Sequence, residues 1–351
     1  MSDALLSALA EALADLVTAV ETCDDEVLDP DTAVKWLEAT SYTLKGLGAA
    51  DRRALDGLFR EAALRQPAGP RREELLKVSE GFGLTEDTHA AACDAALETA
   101  RRFAATVRDA DPVTPVPTCP GWDLADLTWH LGTLHHWAEH VVRTRATTRV
   151  LARDLPLDPP TDLAAHPDWL AAGAERFAAT ARAADPDAPV WSPGADPHVR
   201  HYPRHVLFET LVHLADAEIA LTGEARPLGP GIAADAIDHF LENAPYIPWI
   251  AEPLAHLDRD GAVLRLTARD TGAVWTLALG GGGFTWNRES RKGREGREGR
   301  GNGGAEPTAG VEADTGELLL LLHRRYAADD PRFAHTGDRH LLDDWLAATA
   351  L

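Results

Sequence analysis

The chain has 351 residues, 45% of them hydrophobic, with 34 basic against 56 acidic side chains and a net charge of −22. That length exceeds the usual limit of one core and predicts two or three domains. An acidic surface repels phosphate backbones and anionic lipid, so neither nucleic acid nor membrane is expected as a partner.

Residues 1–84 read as an N-terminal all-helical module. Leu5, Leu6, Leu9, Leu13, Leu16 and Val17 recur at helical spacing on a first helix. A second helix is expected from Asp31 or Thr32 to Leu47, a third from Asp51 to Leu64, and a fourth from about Arg72. No motif with chemistry stands here, and the region reads as a packing module or a docking site for a protein partner. The N-terminus lacks a basic region ahead of its apolar residues, which argues against a signal peptide. No apolar run approaches the ~20 residues of a membrane span. Cys23, Cys93 and Cys119 form no CxxC pair, which argues against a disulfide framework. A cytoplasmic protein is the expectation.

Residues 85–245 hold four longer amphipathic patterns, as in a helical bundle. The first runs from about Asp87 to Asp109. The second follows Pro120-Gly121-Trp122, with Asp123 as N-cap and Asp126 three residues on, an acidic version of the capping box. The third runs from Pro167-Asp168 to Ala184, and the fourth from Pro203 to a stop at Gly223. A short fifth helix, Ala233 to Asn243, leads out.

Residues 246–351 read as a small α+β domain. Two β-rich runs, from Ala262 and from Ala273, flank Arg269-Asp270-Thr271-Gly272, a hairpin signal, and Gly283 to Trp286 extends the sheet. Helices are expected at Glu317–Arg325 and Leu341–Ala348. A glycine-rich run at 288–305 with an Arg-Glu-Gly repeat reads as a flexible insertion. The fold class is therefore mainly α with a small α+β C-terminal domain.

The segment His205 to Asp216 carries the most chemistry. Glu209 and His213 are four apart and share a helix face, so they can give one oxygen and one nitrogen to a single cation. Zinc accepts this mixture at ~2.0–2.2 Å. A third ligand must come from elsewhere, and His130, among residues that otherwise face a core, is the natural donor. Three protein ligands leave an open position, as at catalytic zinc. A Glu-x-x-x-His pair also recurs on solvated helices, so spacing alone leaves metal and plain surface pairing both open. Asp216 is a candidate acceptor for an imidazole N–H, with a salt bridge to Arg204 or Arg226 as the alternative. His205, one turn before Glu209, either lines the site or contacts solvent. His135, His136 and His140 read as surface residues. Cys119 precedes a helix N-terminus, where the dipole favours a thiolate.

The segment Val116-Pro-Thr-Cys-Pro-Gly-Trp-Asp-Leu-Ala-Asp-Leu-Thr-Trp-His-Leu-Gly132 resembles the opening of the mycothiol-dependent maleylpyruvate isomerase family, part of the DinB-like metal-binding four-helix bundles. Tyr202 to Glu218 resembles its second signature, and Gly316 to Arg325 with Thr336 to Leu342 is similar to its smaller domain. The resemblance implies zinc on His130, Glu209 and His213, with mycothiol as cosubstrate. It leaves residues 1–84 and the Arg-Glu-Gly insertion outside the family pattern. It implies an enzyme that activates this low-molecular-weight thiol for isomerisation of, or transfer to, a small-molecule electrophile. Arg204 is a candidate to orient an anionic substrate, with an exposed salt bridge as the alternative. The rival readings are a zinc-dependent hydrolase using metal-bound water and a non-catalytic metal-binding interaction protein.

Overall fold

A computed structural model describes residues 3–24, 27–45, 47, 49–67, 69–82, 84, 88–289 and 307–350. The chain falls into two compact units, Met1–Thr88 and His89–Leu351.

The first unit contains α1 (Asp3–Glu21), α2 (Pro30–Lys45), α3 (Ala49–Arg65) and α4 (Pro70–Gly81). Its core gathers Ala10, Ala14 and Val17 of α1 with Phe59 and Ala63 of α3 and Leu75 and Val78 of α4. The leucine periodicity of α1 is thus only partly a core signal. The small residues Ala10 and Ala14 make the buried face, while Leu5, Leu9 and Leu16 are exposed by 48%, 55% and 62%. Alanine permits close approach of the neighbouring helices, and the leucines stand to the side.

The second unit begins with the bundle helices α5 (Thr88–Val107), α6 (Leu124–Thr144), α7 (His166–Ala183) and α8 (His201–Thr222). Asp123 caps α6 with its side chain on the backbone N–H of Asp126, and the Asp126 carboxylate returns to the Asp123 N–H, so the acidic capping box forms. Gly223 ends α8 with φ of 87°, a left-handed turn that glycine adopts without a Cβ clash. α8 is buried nearly all round: Val206, Leu207, Leu211, Val212, Leu214 and Ala215 are all inside. It is the central helix of the bundle.

After α9 (Pro230–Asn243) and α10 (Pro248–Ala255) the chain forms a five-stranded sheet of order β3-β2-β1-β4-β5. β1 (Val263–Ala268), β2 (Val274–Gly280) and β3 (Gly283–Glu289) form an antiparallel meander, and the predicted hairpin is present. Gly280 pairs with Gly283 across the two-residue turn Gly281-Gly282, where both φ values are positive, as a primed hairpin turn requires. β4 (Ala309–Ala313) lies parallel to β1, and β5 (Ala334–Gly337) pairs with β4. α11 (Thr315–Leu322) and α12 (Arg339–Ala348) complete the unit. One apolar core joins bundle and sheet, from Val206 and Phe240 to Trp275, Leu318 and Trp345. The Arg-Glu-Gly run supplies Arg288 and Glu289 to the end of β3. The rest of the expected flexible insertion lies outside the described residues.

Candidate metal centre and its pocket

His201, His205, Glu209 and His213 follow one another every four residues on α8, so they form a polar stripe along an otherwise apolar helix. His130 enters from α6, whose start is fixed by the capping box. The His130 and His213 rings have centroids 4.9 Å apart and are nearly perpendicular. Ligand atoms of His130, Glu209 and His213 all lie within 4.8 Å of one another. The His213 Nε2 to Glu209 Oε2 separation is 3.8 Å. That is too long for a hydrogen bond, and close to the ~3.4 Å between two tetrahedral ligands held at ~2.1 Å.

Behind the three residues stands Asp216, fully buried. Its Oδ2 lies 2.7 Å from His213 Nδ1. Arg325 donates to both its oxygens, from Nε at 2.9 Å and from Nη2 at 2.8 Å. Thr118 Oγ1 donates to it at 2.6 Å and Cys119 Sγ at 3.4 Å. Burial alone would raise this carboxyl, but the hydrogen bonds from His213 and Arg325, with the guanidinium charge, hold it well below the usual range. An ionised Asp216 accepts from His213 Nδ1 and so orients the ring with Nε2 toward Glu209. Burial, with His213 nearby, pushes His130 down to about 4. The buried His130 Nε2 has no hydrogen-bond partner among the described residues. Burial would raise Glu209 as well, yet the imidazoles of His205, His213 and His130 bring it below its ordinary value. Two imidazole nitrogens and a carboxylate oxygen that converge within 4.8 Å are a donor set that fits a divalent cation.

These groups open on a cavity of about 630 Å³. Trp122, Leu134, Trp137 and Trp191 build apolar walls, and Cys119, His323 and Arg325 line it as well. Trp122 stacks on His213, with ring centroids 6.2 Å apart. The backbone of Arg325 donates to the Leu320 carbonyl at the end of α11, and this turn carries the guanidinium back to the bundle.

Four of the sequence expectations change here. Arg204 is not brought to the cavity: it pairs with Asp235 and Glu242 through hydrogen bonds of 2.7 and 3.1 Å. Neither Arg204 nor Arg226 meets Asp216, since Arg226 pairs with Glu218 and the partner of Asp216 is Arg325. His135 is not on the surface but fully buried, with Nε2 3.1 Å from Thr210 Oγ1. Cys119 is no thiolate. Burial and the neighbouring Asp216 charge push its thiol up to about 12, overriding any pull from a helix dipole. His205, Trp122 and Trp137 do line the cavity. Arg325 and His323 were missed as site residues, although both stand in the C-terminal stretch Gly316 to Arg325. The signal there is a leucine-rich helix that ends abruptly in His-Arg-Arg.

Residues 93–218 match the model of a domain family described as the mycothiol maleylpyruvate isomerase N-terminal domain. The matched segment contains His130, Glu209, His213 and Asp216. No curated protein matches the chain.

Proposed function

From the match of residues 93–218 to the mycothiol maleylpyruvate isomerase N-terminal domain model, we propose that this protein is a metal-dependent enzyme. It activates a low-molecular-weight thiol, mycothiol, toward an electrophilic small molecule. The observation that carries the reading is the partnerless buried Nε2 of His130 beside Glu209 and His213. An unpaired imidazole in such a place is costly unless something binds it. Two imidazoles and one carboxylate suit zinc and leave a coordination position for a ligand.

His130, Glu209 and His213 would hold the zinc, which would supply a Lewis acid able to lower the pKa of a thiol, ordinarily near ~8.5. The chain's own groups then do the rest. Asp216 orients the His213 ring through Nδ1, and Arg325 balances the buried Asp216 charge. Trp122 and Trp137 shield the reacting sulfur from water. Cys119 stays protonated and does not compete as a nucleophile. Attack of the thiol on a double bond followed by elimination gives isomerisation, and departure of a leaving group gives S-transfer. The division into 1–84, 85–245 and 246–351 goes with this reading, with the bundle as the metal-binding part. The exposed leucines of α1 support residues 1–84 as a packing or docking module.

Elemental analysis of the native protein beside His213→Ala, followed by calorimetric titration with mycothiol, tests the proposal. One zinc per native chain, its loss in the variant with an unchanged circular dichroism spectrum, and zinc-dependent mycothiol binding are expected. Thiol binding indifferent to the metal, or turnover with no thiol present, overturns the thiol-activating reading.

A further inference from the structure

The polar stripe on α8 is longer than a metal site needs. His201 lies eight residues before Glu209, ~12 Å along the helix axis. At that remote end of the cavity the three imidazoles of His201, His205 and His239 cluster, with ring centroids 5.2 to 5.7 Å apart. His201 is 5% exposed and lines the cavity, and its Nε2 has no hydrogen-bond partner among the described residues. Arg200 and Arg204, the cations on either side of it in sequence, are spent on Asp187 and Asp196, and on Asp235 and Glu242. Burial holds both His201 and His239 well below the usual histidine value. The His201 ring is therefore neutral at pH 7 and offers the cavity a hydrogen bond without charge, while the His239 nitrogens are taken up by His205 and Asn243.

Two indoles line the same cavity, and one of them is pre-organised. Trp191 is pinned through its backbone: its N–H donates to the Ala146 carbonyl at 2.6 Å, and its carbonyl accepts from Tyr202 Oη at 2.6 Å. The loop that follows is clamped where the Ala195 N–H donates to Asn243 Oδ1 at 3.0 Å. Gly194 allows this approach, since a Cβ there would collide with Asn243 and His201. Trp249 lines the same cavity yet is 60% exposed, a large apolar surface without cover.

A neutral imidazole and two indoles lining one cavity suit a ligand part that is uncharged, bears hydroxyl groups and has an apolar ring face to stack. We propose that the end of the cavity around His201, Trp191 and Trp249 is a subsite for the uncharged, hydroxyl-rich body of the thiol cosubstrate, whose sulfur lies at Glu209 and His213. For mycothiol this body is its glycosyl-inositol. The inference rests on the thiol-activating reading and adds to it where the remainder of the thiol binds.

Calorimetry on the zinc-loaded full chain with two probes, mycothiol and N-acetylcysteine, tests the subsite. N-acetylcysteine carries the thiol without the sugar. Trp249→Ala and His201→Leu are each expected to weaken mycothiol about tenfold and to leave N-acetylcysteine within about twofold. Trp249 is exposed enough for its truncation to leave folding intact, so the test does not depend on the His201 variant. Equal weakening of both thiols, or of neither, overturns the subsite. Equal affinity of the wild type for the two thiols overturns it too and leaves the thiol-activating reading standing. If the wild type binds neither thiol, both fall together.

Discussion

At the scale of single residues, Asp216 organises the candidate centre without being one of its ligands. It takes hydrogen bonds from His213, Arg325, Thr118 and Cys119 while fully buried. Its neutral isostere would leave the His213 ring without its ionised acceptor and Arg325 without a counter-charge. Asp216→Asn is therefore expected to lower zinc affinity about 10–100-fold, read by competition with a chromogenic chelator. Unchanged affinity would mean that His213 is oriented by packing alone. The Glu209 and His213 pair was legible in the sequence because four-residue spacing fixes a shared face wherever the helix lies. Arg325 was not, because it reaches Asp216 across 109 positions and nothing local in either segment encodes that meeting. His135 was misread for a related reason. The face it shares is set by Thr210 on a different helix.

At the scale of elements, the helices followed their caps and periodicity closely, since both signals are local. The hairpin was legible through Asp270 to Gly272 and the alternating runs around it. β4 and β5 were not. β4 has five residues with Val311 as its one β-branched side chain, and β5 has four mostly exposed residues without alternation. β4 is placed by its pairing with β1, and β5 by its pairing with β4, not by their own composition. The placement of His130 depends on how α6 lies against its neighbours, and the α6–α7 contact is exceptionally close at Gly132. A Cβ there would enter the ring of Trp169. Gly132→Ala is expected to destabilise the protein by about 1–3 kcal/mol despite the better helix propensity of alanine, measured by urea denaturation. A stabilised variant would show that Trp169 moves aside freely.

At the scale of the whole molecule, the buried imidazoles set how stability depends on pH. An unfolded histidine takes up its proton near ~6.5. In the folded protein burial lowers His130 and His323 to about 4 and His135 to about 3. Between those values the unfolded state binds more protons, so stability rises with pH across the window and is lost on acidification from about 6.5 toward 4. Asp216 acts in the same direction at lower pH. Its depressed value contributes stability that is present above ~3.9 and disappears as pH falls further. Metal-free protein is expected to melt at a clearly lower temperature at pH 5 than at pH 7, and scanning calorimetry in matched buffers reads the difference. A flat profile over that interval would show that the imidazoles gain protons without unfolding.

The protonated state of Cys119 has a consequence for oxidative chemistry. Peroxides and alkylating agents attack sulfur as the anion, and a thiol that holds its proton up to about 12 presents almost none at neutral pH. Cys119, shielded beside a carboxylate, is thereby expected to outlast an oxidant that consumes free thiols.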